Sequence, residues 1–335
     1  MTLLQSALGR KQRLLVLVYG LLFLALSSSF ADITIHGDRY MSVRDLGRAL
    51  KMQYRVVQLN KEVRLSNKKN TLTFKVHDKG FSLNGTRVFL GAPVVLRGGR
   101  FYVSRLDYER LILPILYPEK SANPPKLYHI VLDAGHGGKD QGTESKRYKL
   151  KEKNLALDLT RKLQKRLEAR GYRVTLTRSR DEFVALSDRS RKANRVNADL
   201  FVSLHFNAAQ NVKAAGVETY VLTLPGQAST SRDKKVAADN KTYAGNRYDS
   251  WNALLGYYVQ RSLAQGMSVP DRGLKHARFA VLKDLQCPGI LIEGGFLSND
   301  TEARNLGSAA YRDKMAERIA DGIIAYQMAL NRVRR

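Results

Sequence analysis

The sequence predicts an α/β protein: a largely parallel twisted sheet flanked by helices on both faces, preceded by a small α+β domain. Three observations carry this. From residue 127 onward, short apolar runs alternate with helical periods, the pattern of strand–helix–strand units. Before residue 118 the runs are short, alternate with period two, and are joined by hairpin signals. Residues 118–126 between them are polar and carry three prolines.

The order of elements follows from local patterns. Arg10, Lys11 and Arg13 precede an apolar run at 14–26, and small residues stand at Ser29 and Ala31. That order reads as a secretory signal peptide spanning 1–31, so the chain is expected to be exported, to the periplasm or cell envelope. An uncleaved N-terminal membrane anchor is the alternative, and the run is short for one. Residues 32–117 form the small domain. Strand-like alternation occurs at 63–66, 72–76 and 87–90, Asn84-Gly85 marks a hairpin, and short helices are expected at 43–50 and 104–111. His36 and His77 lie there without a partner cluster. Pro124-Pro125 makes 118–126 a stiff extended linker.

Residues 127–335 form the larger domain. Strands are expected at 129–132, 173–177, 200–204, 217–222, 279–282 and 289–292. In the first long helix, 152–169, Leu155, Leu159, Leu163 and Leu167 recur every fourth residue and Gly171 closes it. Further helices are expected at 186–196, 251–265 and 311–333, the last with Met315, Ile319, Ile323, Tyr326 and Leu330 on one stripe.

Composition narrows the partners. Hydrophobic residues make up 44% of the chain, enough for a sizeable core, and a single cysteine, Cys287, means that packing and not disulfides holds the fold. Cys287 reads as a buried inert thiol, since a nucleophile needs a lowered pKa and a nearby base. The formal charge is +27, from 57 Lys+Arg against 30 Asp+Glu, which attracts polyanions. The export signal favours anionic cell-envelope polymers. No nucleic-acid partner is expected, because no reading motif is present. We expect a monomer.

The chemistry lies at predicted strand ends. In an open parallel sheet, ligands bind outside the carboxyl ends of the strands. His136 follows the first strand of the larger domain, His205 the third, and Glu293 the last, while Glu152 starts a helix after a loop on the same side. Parallel topology alone brings the four to one edge. Gly135, Gly137 and Gly138 let the backbone turn around His136. Two imidazoles and one carboxylate make an open Zn²⁺ site, and a free carboxylate beside it moves protons, so a metal-dependent hydrolase is expected. His136, Glu152 and His205 are the candidate ligands and Glu293 the candidate catalytic carboxylate. Asp133 and Asp140 are near enough in sequence to orient His136.

Singly, each residue has an ordinary role too: a turn histidine, a glutamate complementing a helix dipole, a hydrogen-bonded strand histidine, a carboxylate paired with arginine. The joint placement favours the site. Competing motifs fail. No helical His-Glu-x-x-His occurs, Gly138-Lys139 lacks the Ser/Thr of a phosphate loop, Gly135-His136-Gly137 lacks the third glycine of a dinucleotide loop, and no Gly-x-Ser-x-Gly elbow is present.

The segments IVLDAGHGGKDQGT, KEKNLALDL, GVETYVL and PGILIEGGFLSNDTEARNL, in that order between about 127 and 327, resemble the zinc-dependent N-acetylmuramoyl-L-alanine amidases of the Amidase_3 type. The resemblance implies cleavage of the amide between N-acetylmuramic acid and the L-alanine of the stem peptide, with peptidoglycan as substrate. It implies zinc at His136, Glu152 and His205, catalysis by Glu293, and a structural or substrate-contacting role for Asn207. SVRDLGRALKMQY and FSLNGTRVFLGAPVVLRGGRFYVSRLDYERL resemble the small domain named after the copper amine oxidase N-terminal region.

Two departures from the pattern stand out. Phe206 replaces a small residue and is expected to reshape the groove. Residues 225–252 lengthen a connection where one branch of the family inserts a helix whose glutamate plugs the metal. No Glu occurs between Thr219 and Leu291, so no plug of that kind is expected. Trp251 in this insert either lines a glycan groove as a substrate contact or packs in the core. Two alternative functions remain at this point: a non-catalytic wall-binding or regulatory protein on the same fold, and a zinc peptidase acting on another cell-wall amide. A protein activator is left open.

Overall fold

The computed structural model describes residues 32–334, so the signal-peptide reading of 1–31 lies outside the described residues. No helix among the described residues is long and apolar enough to cross a membrane. The chain opens with β1 (Ile33–Ile35) and β2 (Asp38–Ser42). Ser42 then caps α1 (Val43–Ala49), its hydroxyl accepting the Asp45 amide at 3.1 Å. A meander follows: β3 (Gln53–Gln58), β4 (Glu62–Ser66), β5 (Thr71–Lys75), β6 (Gly80–Leu83) and β7 (Thr86–Phe89). Asn84 and Gly85, with φ of 52° and 82°, make the two-residue turn from β6 to β7. Then β8 (Val95–Arg97) and β9 (Arg100–Ser104) join β1 and β2 in a four-stranded antiparallel sheet. Residues 105–116 are helical, through a π turn at Tyr108–Ile112.

The larger part contains β10 (His129–Ala134), β11 (Glu144–Ser145), β12 (Leu150–Lys151), α2 (Glu152–Glu168), β13 (Arg173–Leu176) and α3 (Leu186–Arg195). It continues with β14 (Leu200–Asn207), β15 (Val217–Leu222), α4 (Asp249–Met267), β16 (Asp271–Ala277), β17 (Gly289–Phe296), α5 (Asp300–Gly307) and α6 (Ala309–Val333). Strands β13, β10, β14 and β17 are parallel neighbours in that order. β15 runs antiparallel to β17, and β16 runs parallel to β15.

Alternation along these strands builds a core on each face. Ile130, Leu132, Leu200, Val202, Leu204, Ile290 and Ile292 pack with α2, α4 and α6. Val131, Phe201 and Leu291 point the other way, onto Ala193 of α3 and Val281, Leu282, Leu285 and Cys287. Cys287 is 4% exposed and burial pushes its thiol up to about 12, consistent with an inert residue. The stripe from Met315 to Leu330 on α6 is buried.

Two strand expectations change. Residues 279–282 are not a strand: Ala280–Lys283 is a helical turn that follows Phe279. The missing strand is β16, whose sequence Asp-Arg-Gly-Leu-Lys-His-Ala shows little apolar alternation.

The linker divides the sequence but not the sheet. β7 pairs with β16 at Val88 and Leu274, which extends the six-stranded core through β7, β6, β5, β4 and β3 to eleven strands. The Asp271 carboxylate accepts the Arg87 amide at 2.7 Å, and His276 Nε2 meets the Phe89 carbonyl at 2.9 Å. The 225–252 insert reinforces the junction. Gln227 donates to buried Asp107 at 2.8 Å, Lys79 to the Arg232 carbonyl at 2.5 Å, and Lys235 to Asp38 at 2.7 Å.

Candidate metal centre

His136 sits just beyond β10 in the left-handed region, at φ 59°. Glu152 is the first residue of α2. His205 and Glu293 lie within β14 and β17, both of which run past the predicted ends, to Asn207 and Phe296. In the parallel pairing of these strands His205 stands directly opposite Glu293.

One ligand atom each from His136, Glu152 and His205 falls within 4.8 Å of the others. Glu152 Oε1 lies 3.0 Å from His136 Nε2 and 2.9 Å from His205 Nδ1. The main chain fixes this carboxylate: Phe206 N–H donates to Oε1 at 3.0 Å and Thr143 N–H to Oε2 at 2.8 Å. On the other side of the first ring, His136 Nδ1 meets Asp140 Oδ2 at 2.9 Å, which aims Nε2 at the centre. The donor set of two nitrogens and one oxygen fits Zn²⁺ with a position left open. Burial opposes ionisation of Glu152, but hydrogen bonds from His136 and His205 outweigh it and hold the carboxyl at about 2. Burial likewise opposes charge on His136, and its bonds to Glu152 and Asp140 still raise its pKa.

Close packing shapes the cradle. A Cβ on Gly135 would fall 2.4 Å from His205 Cε1, and one on Gly142 would fall 2.6 Å from Glu152 Oε2. Only glycine leaves room for the ligands there.

Glu293 points its carboxyl to the same face. Its Oε2 is buried with no hydrogen-bond partner. Burial, and then the charges of Glu152 and Glu218, push its pKa well above the ordinary range, against the pull of Lys275.

Three groups were not anticipated from sequence. Arg178 and Arg189 are 1% and 2% exposed. Arg178 donates to the carbonyls of Ala134 at 2.9 Å, Gly135 at 2.8 Å and Lys153 at 2.8 Å, tying the loop before His136 to the helix that carries Glu152. Arg189 donates to Asp133 at 2.8 Å, the Ala134 carbonyl at 2.7 Å and the His136 carbonyl at 2.9 Å. Asp133 therefore does not touch the His136 ring; it anchors Arg189 and accepts from Thr177 and Ser203 at 2.6 and 2.7 Å. The third group is Glu218, 1% exposed on β15 and directly opposite Glu293 in the antiparallel pairing.

Asn207 reaches this neighbourhood, with Nδ2 3.4 Å from Glu218 Oε2. Trp251 does not. It is 3% exposed within the core, and its Nε1 donates to the Ala122 carbonyl of the linker at 3.1 Å. Its indole is satisfied by burial and that single bond, which corrects the groove reading. Phe206 is also turned away from the groove, 1% exposed and packed over Gly294.

One histidine beyond β10, one histidine in β14 and a glutamate opening α2 thus form a set of candidate metal ligands at one edge of an α/β sheet, with a second carboxylate alongside. Residues 130–325 match the N-acetylmuramoyl-L-alanine amidase family, and the chain belongs to it. Residues 25–106 match the copper amine oxidase N-terminal domain. The chain is 34% identical over 204 residues to the amidase LytC of Bacillus subtilis, across 61% of this chain and 36% of that one. It is 33% identical over 218 residues to AmiA of Escherichia coli, across 59% and 75%. The match thus spans little more than a third of LytC. Among solved structures, an N-acetylmuramoyl-L-alanine amidase of Clostridium difficile 630 is similar at 33% identity and a TM-score of 0.51, covering 61% of this chain and 98% of that one. CwlD of Clostridioides difficile, solved in complex with the GerS lipoprotein, is similar at 30% identity and 0.51, covering 60% and 99%.

Proposed function

We propose that this chain is a zinc-dependent peptidoglycan hydrolase that cleaves the amide between N-acetylmuramic acid and the L-alanine of the stem peptide. The observation that carries the reading is the meeting of His136, Glu152 and His205 within 4.8 Å, with Glu293 opposite His205 on the next strand. His136, Glu152 and His205 would hold the ion, which when bound supplies Lewis acidity toward water and the scissile carbonyl. Asp140 keeps the His136 ring in the orientation that presents Nε2. Glu293 takes the proton of the attacking water and passes it to the leaving nitrogen. Burial, and then the charges of Glu152 and Glu218, raise its proton affinity, and a carboxylate held beside the ion serves first as base and then as acid.

The strong excess of basic residues would hold the exported enzyme against anionic envelope polymers, an attachment that high salt weakens. We assign 32–117 as an accessory unit to the amidase part at 127–335.

The test is digestion of intact peptidoglycan sacculi by zinc-loaded protein beginning at Asp32, beside a Glu293→Ala variant, with released fragments read by mass spectrometry. Free stem peptides beginning with L-alanine, absent with the variant, are expected. Binding without release, or cleavage elsewhere in the peptide, overturns the assignment.

A further inference from the structure

Glu218, Tyr220, Arg272 and Lys275 form a second polar cluster beside the metal centre. Register places it. His205 on β14 stands opposite Glu293 on β17, which stands opposite Glu218 on β15, and Tyr220 on β15 stands opposite Lys275 on β16. Directly opposed residues share a face, so the row runs across the sheet from His205 to Lys275. Arg272 sits at the irregularity in the β15–β16 pairing and joins the row through its bond to Glu218.

Glu218 holds these cations in place. Its Oε1 accepts from Arg272 Nε and from Lys275 Nζ, the latter at 2.8 Å. Its Oε2 accepts from the Tyr220 hydroxyl at 2.5 Å and lies 3.4 Å from Asn207 Nδ2. Burial works against its charge, and the bonds from Arg272 and Lys275 still hold its pKa below the ordinary value. Glu218 therefore bonds two cations, whose fields also reach Glu293 and Glu302. The Arg272 side chain is 35% exposed, its guanidinium lies 4.7 Å from the Phe296 ring centroid, and neither Nη has a partner among the described residues. Nε is pinned and the planar fork is left facing outward, a geometry suited to a carboxylate.

We propose that Arg272 is a specificity-determining residue that binds a free carboxylate on the stem peptide, at the residue that follows L-alanine. The inference rests on the amidase reading above. Scale supports it: three strand spacings, about 14 Å, separate β14 from β16, and the Arg272 side chain reaches back across one of them to Glu218 on β15. A two-residue extended peptide spans about 7 Å, and a carboxyl group branching from its second residue reaches further. Glu218 is the positioning residue that pins the Arg272 fork, and Phe296 supports the fork from beneath.

The experiment uses two synthetic muropeptides that differ only at the carboxyl of the residue after L-alanine, free in one and amidated in the other. Steady-state cleavage is measured for the wild type, Arg272→Gln and Arg272→Lys. Binding of both peptides to Glu293→Gln is measured by calorimetry, which requires no turnover. The wild type is expected to favour the free acid by about tenfold or more, through KM and not kcat, as for a charge-assisted hydrogen bond. Arg272→Gln should bring the ratio close to one. Arg272→Lys, which keeps a donor for Glu218, should retain part of it and shows the loss is not one of folding. Wild-type enzyme that cleaves both peptides equally, or an acid preference that survives in Arg272→Gln, overturns the proposal. Acid-selective binding without cleavage keeps the subsite and overturns the reaction instead.

Discussion

Arg189 reaches from α3 to donate through Nη2 to the main-chain carbonyl of His136 at 2.9 Å. The candidate ligand at the strand end is thus held from the opposite side of the backbone, in a left-handed conformation, by a guanidinium that is 2% exposed. Arg178 does the same for the carbonyls of Gly135 and Lys153, the neighbours of His136 and Glu152. Replacing Arg178 by methionine removes the tie between the His136 loop and the helix of Glu152, and replacing Arg189 frees the His136 carbonyl and leaves Asp133 without its buried cation. Zinc affinity should fall roughly 10- to 100-fold, the range for groups that orient metal ligands. Competition with a chromogenic chelator measures it, and unchanged affinity in both variants contradicts the account.

Glu293→Gln removes the proton carrier but keeps the shape. Turnover should fall by roughly 10²- to 10⁴-fold, with the amount of bound metal unchanged. The thermal midpoint should hold or rise, because an unpartnered buried carboxyl is lost. A variant with wild-type turnover would remove Glu293 from the reaction.

Gly135→Ala places a methyl group where the His205 ring stands, 2.4 Å from Cε1. The ring must move, and zinc affinity should drop at least about tenfold, because metal sites tolerate only small shifts in ligand position. Gly307→Ala, whose Cβ meets nothing closer than 3.4 Å, serves as the control and should bind metal normally. Equal affinities in the two variants would show that the cradle at Gly135 is not constrained.

His276 makes the junction between β16 and β7 acid-sensitive. It is 2% exposed, bonded through Nε2 to the Phe89 carbonyl at 2.9 Å, and burial lowers its pKa to about 4. The folded pKa lies below the unfolded value, so the unfolded chain binds the proton first. Stability is therefore intact above about pH 6.5 and is lost as pH falls through that value toward 4, by up to about 3 kcal/mol. Denaturant titrations of the wild type and His276→Phe across this window should converge at low pH. A constant difference between them contradicts the assignment.

Much of this was legible because it follows from topology. His136, Glu152, His205 and Glu293 needed only parallel strands for all four to reach one edge, and β10, β14 and β17 are parallel. Less obvious were the groups whose roles depend on tertiary partners. Arginines are rarely buried, so nothing marked Arg178 and Arg189 among 57 basic residues. Glu218 stands in an apolar run and gains its place opposite Glu293 only from the antiparallel pairing of β15 with β17, which a mostly parallel reading does not supply. β16 escaped because Arg272 and Lys275 occupy positions where a buried strand would carry apolar residues. Trp251 was ambiguous as an aromatic in an insert, and helix packing settled it in the core. The continuous sheet through β7 rests on a single strand-pair position, Val88 with Leu274, that no local pattern announces.

The most direct measurement is a zinc titration of chelator-stripped protein, with metal bound per chain and release of L-alanine-terminated stem peptides followed together. One zinc per chain should bind, hydrolysis should rise in proportion and saturate at equivalence, and His136→Ala, Glu152→Ala and His205→Ala should each lose both. Full hydrolysis by stripped protein, or tight stoichiometric binding that survives all three substitutions, would contradict a metal centre built from these residues.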